Sequence, residues 1–321
     1  MASIIHQASE LPSTVEIMLP QRIVLSRKGF DSVAGGFASP IFDDGRMTSL
    51  PIPEPGAPAH ANVSMRFDDL GSPVPPDWKI PSILGQLRPS FQTASKVHLD
   101  PDIRPFLRSR NVHDPVGYFG QVGKDMTELR DGGVCDPCNH SLFLFFGWFK
   151  GVRIGHDGRL GYERARAGEP RTHHQHVIWG WLQSDGEPRR VPTEGELAQE
   201  LRCFDHHPHV EARNRGDNNY VFVGRRKLSF REDLPGAGVF AHYNPALRLT
   251  CPLERNKRSS WPLPAFLRSC ARGRIENAKW SSEGCAERVQ YRGFGQEFVF
   301  DTKNHESETA EWLGAVFQCA R

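Results

Sequence analysis

The sequence predicts an α+β fold, a single β-rich domain around a mixed or antiparallel sheet with few helices. The clearest signal is the continuous apolar run SLFLFFGWFK at 141–150, which is typical of a strand buried on both faces. The run HVIWGWLQ at 176–183 has the same character. The 25 prolines and 30 glycines follow no repeat period and divide the chain into short strands rather than long helices.

Shorter apolar runs predict the other strands, and two patterns predict helices. The segment 192–204 places Thr193 and Glu196 in capping-box spacing, and 307–320 places its large apolar residues on one face. A third, Pro-started helix is predicted at WPLPAFL, 261–267. The shorter strands are expected at QRIVLS (21–26), NNYVFVG (218–224), GAGVFAHY (236–243), ALRLTC (246–251) and QEFVFD (296–301).

The chain ends and the cysteine content predict organisation and compartment. Residues 1–20 are expected to form a flexible leader, and 21–321 one domain. The leader lacks a basic segment and a long apolar segment, so a secretory signal is not expected. Seven scattered cysteines, an odd number, favour a reducing cytoplasm over a disulfide framework. No run of eighteen apolar residues occurs, so we expect no membrane association.

Positive charge is concentrated in two stretches, although the net charge is only +2. Residues 211–231 hold six Lys or Arg and two acidic residues, and residues 251–280 hold seven and two. Such asymmetry is typical of a phosphate-facing side, and equally of two solvated loops. In the second stretch, Trp261 and Phe266 lie among the cations and either stack on bases or anchor the core.

Arg27, Lys28 and Asp31 follow the first predicted strand and precede the paired glycines Gly35 and Gly36. Backbone amides of a Gly-rich turn can cradle an anion, to which the two cations would add charge. The turn is not a Walker loop, because no Gly-Lys-Ser/Thr follows it. A generic anion site and a charged surface turn are the two interpretations that stay open.

His98 and Asp100 lie two residues apart in KVHLDPDI, so they share a face if this segment is a strand. Histidine-x-aspartate with a distant histidine is the ligand set of non-haem iron sites, and the same ligands suit manganese or zinc. An Asp-Pro-Asp turn that caps a helix at Pro101 is the simpler alternative. Two clusters offer the third ligand, His173, His174 and His176 or His206, His207 and His209.

These segments together resemble the nucleotide modification associated domain 3 family, from about Arg22 to the C-terminal helix. The family is associated with genes for modified nucleic-acid bases, largely in bacteria and their viruses, and the resemblance implies that setting rather than a reaction. The matching segments are LSRKGFDSVAGGFASPI, SLPIP, HLDPDI, FGQ, LFLFFGWF, HVIWGWLQ, HPHV, NNYVFV, GAGVF, LRLT and GQEFVFD.

The resemblance also implies a set of site residues. Asp31, His98, Asp100, His207 and His209 are expected to be catalytic, and His98, Asp100 and His209 to bind a divalent metal (Fe, Mn or Zn). Substrate or phosphate binding is expected from Arg27, Lys28, Gln121, His176, Asn219 and Arg248, with Asp102 as a further polar member of the set.

Three functions are compatible with these residues. The leading hypothesis is an enzyme of modified nucleotide or DNA-base metabolism that acts on a phosphate-bearing nucleotide or DNA, with or without a metal. The second is a non-catalytic module that binds a modified nucleotide or DNA. The third is a metal-dependent oxygenase or hydrolase that acts on an unrelated small molecule.

Overall fold

The computed structural model describes residues 18–54, 63–71, 78–104, 116–213, 216, 218–252, 257–283, 286–290, 295–318 and 320. Residues 1–17 of the predicted leader lie outside the described residues, so the leader and its boundary stay predictions. No helix in the described part of the chain is both long and apolar enough to cross a membrane.

Short strands predominate over helices. The helices are α1 (Ile80–Leu87), α2 (Gly123–Asp131), α3 (Gln199–Arg202), α4 (Pro208–Glu211), α5 (Phe266–Cys270) and α6 (Glu306–Phe317). The strands are β1 (Arg22–Arg27), β2 (Ser39–Ile41), β3 (Ile52–Pro53), β4 (Val97–His98), β5 (Tyr118–Val122), β6 (Leu142–Ile154), β7 (Leu160–Tyr162), β8 (Gln175–Gln183), β9 (Arg189–Arg190), β10 (Asn219–Val223), β11 (Ala237–Val239), β12 (Ser260–Leu263), β13 (Ala271–Arg272), β14 (Lys279–Glu283), β15 (Ala286–Gln290) and β16 (Glu297–Asp301).

Within the described residues, a mixed eight-stranded sheet forms the centre of the fold. Its main path is β11-β8-β6-β1-β16-β13, and β2 and β7 also pair with β6. Strand β1 is parallel to β6 and antiparallel to β16, so Ser26 lies opposite Glu297. The predicted α+β fold around a mixed sheet is confirmed.

Both faces of the central sheet are covered, which explains why β6 is apolar at successive positions. Phe143 packs on Phe119 of β5, and Phe146 packs on Trp261 of β12. The smaller sheets that supply these rings are β5-β10-β9 and β12-β15-β14. Helix α6 inserts Phe317 against Trp181 of β8. The sequence prediction of a strand buried on both faces is therefore confirmed.

Three predicted elements differ from the observed structure because turn residues override the apolar pattern. The helix predicted at 192–204 is reduced to α3, since Gly195 has φ +84°, outside the helical region. The strand predicted at 246–251 is not formed, because the side chain of Asn244 accepts from the amide of Ala246 and starts a 3-10 turn. Trp261 lies in a strand, and the helix predicted there begins only at Phe266.

Candidate metal centre

A cleft of about 240 Å³ lies where β1, β4, β5 and α4 meet. Lys28 follows β1, and Gln121 lies near the end of β5. His98 ends β4, and Asp100 follows it, with its backbone N–H donating to the carbonyl of His98 at 3.0 Å. Helix α4 contributes His209. All five of these side chains line the cleft, together with Arg27 and Asp31.

Asp100 is the centre of the polar cluster. Its Oδ1 accepts from the backbone N–H of Gly120 at 2.7 Å, which fixes the carboxylate against β5. Its Oδ2 lies 3.8 Å from Nε2 of His98 and 3.8 Å from Nε2 of His209. Oδ2 is buried and has no hydrogen-bond partner among the described residues. A buried carboxylate oxygen in this position favours a cation.

His98 is oriented by a carboxylate behind it. Its Nδ1 lies 2.8 Å from Oε2 of Glu54, and since a carboxylate only accepts, Nδ1 carries the proton. In the imidazolium form Nε2 also carries a proton and faces Asp100, whereas the neutral form, which metal binding requires, presents the Nε2 lone pair there. Burial lowers the pKa of His98, but the hydrogen bonds and charges of Asp100 and Glu54 outweigh burial and raise it. A carboxylate behind an imidazole is the usual second-sphere arrangement at metal sites.

His209 is oriented in the same way by an amide. Asn219 donates from Nδ2 to the backbone carbonyl of His209, so its Oδ1 faces the ring at 2.9 Å and accepts from Nδ1. In the neutral ring, Nε2 of His209 is therefore the nitrogen with the lone pair, and it faces Asp100. A Cβ atom at Gly120 would lie 2.3 Å from the His209 ring, so only glycine lets the imidazole approach β5 this closely.

One ligand atom from each of His98, Asp100 and His209 lies within 4.8 Å of the others. Metal bonds of about 2.1 Å would bring neighbouring ligand atoms to roughly 3–3.5 Å, so the 3.8 Å separations need only a small contraction. Two imidazole nitrogens and one carboxylate oxygen fit a divalent iron, manganese or zinc ion and leave positions open for substrate or water. The buried cluster can hold a metal.

His207 supports Asp100 rather than joining the three ligand atoms. Its Nδ1 accepts from the backbone N–H of His209 at 3.3 Å, which leaves the proton on Nε2. That nitrogen lies 3.3 Å from Oδ1 of Asp100, whereas His98 and His209 approach Oδ2. Its side chain is fully buried. The ring therefore orients Asp100.

Lys28 places a positive charge between the buried carboxylates of Asp100 and Glu297. Its Nζ lies 3.5 Å from Oδ2 of Asp100 and 3.9 Å from Oε1 of Glu297. Burial raises the pKa of Asp100, but Lys28 and the neighbouring histidines outweigh it and keep the pKa well below its usual value. Oε1 of Glu297 also accepts from Gln121 at 2.6 Å and from Ser26 at 3.0 Å. Lys28 and Gln121 are thus tied to buried carboxylates within the protein.

Glu297 titrates near neutral pH, because burial raises its pKa to about 7 against the opposing charge of Lys28. Between about pH 4.5 and 7 the folded protein keeps a proton that the unfolded chain has lost, so this group lowers stability as pH rises through that window. Glu297→Gln cannot titrate but keeps the accepting oxygen. We expect the free energy of unfolding of the variant, relative to that of wild type, to increase by up to about 3 kcal/mol as pH rises from 5 to 8.

Urea unfolding of both proteins at a series of pH values measures this difference. Glu200→Gln, at an exposed position of α3, is the matched control and should follow wild type throughout. Parallel wild-type and Glu297→Gln curves would contradict a raised pKa at Glu297.

The loop that follows β1 positions Arg27, the last residue of that strand, at the mouth of the cleft. Oδ1 of Asp31 accepts from the amides of Val33 and Ala34 at 2.7 and 2.6 Å, which closes the turn. Its Oδ2 lies 3.5 Å from Nη1 of Arg27. Asp31 therefore shapes the loop and orients Arg27, a cation available to an anionic ligand at the mouth.

Two residues predicted to bind substrate lie elsewhere. His176 packs on Phe146 and accepts from Nε1 of Trp261 at 3.1 Å, and burial together with nearby arginines lowers its pKa to about 3. It is a neutral histidine of the core. Arg248 lines a second cleft of about 320 Å³. Trp261 is fully buried, which leaves it as a core anchor rather than a base-stacking platform.

Two acidic residues of the site were missed in the sequence. Glu54 lies in the Pro-rich SLPIPEP segment, and Glu297 opens the strand QEFVFD. Each is a lone carboxylate beside apolar residues that the fold buries. The signal that could have found them is the cost of burying such a charge without a partner. Asp102 is also buried and lies 3.8 Å from His206.

The fold and the cluster define a mixed-sheet α+β protein with a buried site of two histidines and one aspartate in a cleft. Residues 22–301 match the nucleotide modification associated domain 3 family. The chain belongs to this family. Comparison with curated proteins and with solved structures gave no match.

Proposed function

We propose that this protein is a metal-dependent enzyme that acts on a nucleotide or a nucleic-acid base. The observation that carries the proposal is the convergence of His98, Asp100 and His209 with both histidine Nδ1 atoms held from behind. When both rings are neutral, two histidine nitrogens with free lone pairs and one carboxylate oxygen face a common point, which suits a divalent cation.

The family description supports a nucleotide or nucleic-acid base as substrate, and the cleft is compatible with either. Members are associated with nucleotide modification, which makes a phosphate-bearing ligand the natural candidate. Arg27 is the cation at the mouth, oriented by Asp31. A cleft of about 240 Å³ accommodates a base or a sugar-phosphate unit rather than a large cofactor.

Each residue has a distinct role in this proposal. His98, Asp100 and His209 hold the metal, which polarises a bound group or lowers the pKa of bound water. Glu54, Asn219 and His207 fix the orientation of those ligands. Arg27 binds phosphate at the mouth. Lys28 balances the charge of Asp100, and a bound metal would repel its ammonium group, which has alternative partners in Glu297 and Gln296 at 3.9 and 3.3 Å.

Metal and nucleotide binding are expected to be coupled. Metal-loaded protein should bind deoxynucleoside monophosphates more tightly than chelator-treated protein, because the metal adds a ligand for the substrate. Arg27→Gln should weaken the metal-loaded complex about tenfold or more by removing a charge-assisted hydrogen bond. Titration calorimetry measures both effects. Arg164→Gln, at an exposed position, is the matched control and should leave nucleotide affinity unchanged.

Two outcomes would overturn the proposal in different directions. Equal nucleotide affinity with and without metal, in wild type and in His98→Ala, would indicate a non-catalytic nucleotide-binding module. Tight metal without affinity for any mononucleotide or oligonucleotide would indicate chemistry on an unrelated small molecule.

A further inference from the structure

A strip of cationic and aromatic side chains begins beside the metal cleft, where the central sheet emerges from the core. Alternate residues of β6 share one face, so Phe146, Trp148 and Lys150 follow one another along it. Phe146 pairs with Arg27 of β1, and Trp148 pairs with His176 of β8. On this face of β6, Phe146 is fully buried. The next two positions of the same face, Trp148 and Lys150, are only half-buried.

Arg258 covers the exposed part of Trp148. Its guanidinium lies 3.9 Å from the centre of the indole ring, within the range of a cation–π contact. Nε1 of Trp148 donates to Nδ1 of His174 at 2.9 Å. Burial lowers the pKa of His174 to about 4, and the charges of Lys150, Arg258 and His173 add to the shift. Cations thus surround a neutral histidine on this surface.

Strand pairing joins the strip to the metal cleft. Arg27, which lines the cleft, pairs with Phe146, two residues before Trp148 on the same face of β6. Burial lowers the pKa of Arg258, Asp31 opposes that shift, and Arg27 adds to it. The charges of both residues at the cleft mouth thus act on Arg258. Asp31 adds one negative charge here, and its carboxylate is already engaged by Arg27 and by loop amides. The three positive charges of Arg27, Arg258 and Lys150 outnumber this one negative charge.

At its other end the strip reaches the second cleft. His174 lines that cleft of about 320 Å³, as do Arg248 and Thr250. Nη1 of Arg248 is buried and has no hydrogen-bond partner in the described part of the chain. Pairwise contacts thus lead from Arg27 in the metal cleft through Phe146 and Trp148 to His174 in the second cleft. A mononucleotide would occupy only one end of the strip.

We infer that Arg27, Arg258, Trp148, Lys150 and His174 form a track for a single polynucleotide strand, which delivers one nucleotide to the metal cleft and its neighbours towards the second cleft. The inference rests on the proposed function and narrows its substrate to a polymer. Cations spaced along a groove match successive phosphates, and aromatic and guanidinium planes stack on bases of any sequence. The shared chemistry is the sugar-phosphate backbone, so DNA and RNA strands are both candidates.

Fluorescence anisotropy with labelled 12-residue DNA and RNA single strands tests the track across a series of salt concentrations. We expect Arg258→Gln and Lys150→Gln each to weaken binding of the preferred strand about fivefold or more. Each should also reduce the slope of log affinity against log salt by about 0.7. Arg153→Gln removes an exposed cation further along β6 and should match wild type. Unlabelled mononucleotide should compete only weakly.

The metal content of the same variants separates this inference from the proposed function. Arg258→Gln should keep the wild-type metal content, because Arg258 is not a ligand. Weakened strand binding in protein that holds no metal would retain the track and reject the metal enzyme. Wild-type protein that binds neither strand, or Arg258→Gln and Lys150→Gln variants indistinguishable from Arg153→Gln, would overturn the track whatever the metal content.

Discussion

Replacing Asp100 with asparagine is expected to abolish metal binding while leaving the fold intact. The amide oxygen can still accept from the backbone N–H of Gly120, but the negative charge that faces both histidines is lost. Second-sphere changes alone cost about 10–100-fold in metal affinity, so loss of a charged ligand should cost more than about 100-fold. Equilibrium dialysis against zinc or manganese, followed by elemental analysis, measures the change.

Two controls make this result specific. Asp68→Asn removes an exposed carboxylate, and His156→Ala removes an exposed imidazole, so both variants should bind metal as wild type does. His98→Ala provides an independent ligand deletion should Asp100→Asn unfold, which thermal denaturation would reveal. If the Asp100→Asn and His98→Ala variants fold and bind metal as tightly as wild-type protein does, the assignment of these ligands is refuted.

Replacing Gly120 with alanine is expected to destabilise the protein and disable the metal centre together. The new Cβ would lie 2.3 Å from ring carbons of His209, so the buried imidazole would have to move away from β5. Displacing the ring also breaks its hydrogen bond to Asn219. We expect the free energy of unfolding to fall by about 3 kcal/mol and metal affinity to fall with it.

A double-mutant cycle isolates the contact with His209. In a His209→Ala background the ring is gone, so Gly120→Ala should cost less than about 1 kcal/mol in urea unfolding. Gly161→Ala is the matched control, since a Cβ there meets nothing within 4 Å. Equal costs of Gly120→Ala in both backgrounds would show that the strain lies in the backbone and not against the imidazole.

The strands that form the centre of the fold could be predicted because runs of consecutive apolar residues indicate that they are buried on both faces. Strands β6, β8 and β16 each coincide with such a run. Pairing could not be predicted in the same way. The contact of Ser26 with Glu297 joins residues at opposite ends of the chain, and no local pattern encodes it. The apolar pattern at 192–204 predicted a longer helix than the one observed, because Gly195 prevents the helix from starting there.

The site was predictable in part for a similar reason. The spacing of His98 and Asp100 is local, and the structure brings both to the same point. The choice of His209 as their partner depends on how β5 and β10 pair and on the space left at Gly120, which are tertiary features. Glu54 and Glu297 act only through residues distant in sequence, so their roles become visible only in the folded chain.

The central claim is that His98, Asp100 and His209 bind a metal, and X-ray absorption at the metal edge of zinc-loaded protein tests it most directly. We expect a first shell at about 2.0–2.2 Å with two nitrogens that show imidazole outer-shell scattering and one carboxylate oxygen. A first shell of sulfur atoms, a shell without imidazole scattering, or failure to bind zinc would contradict this assignment.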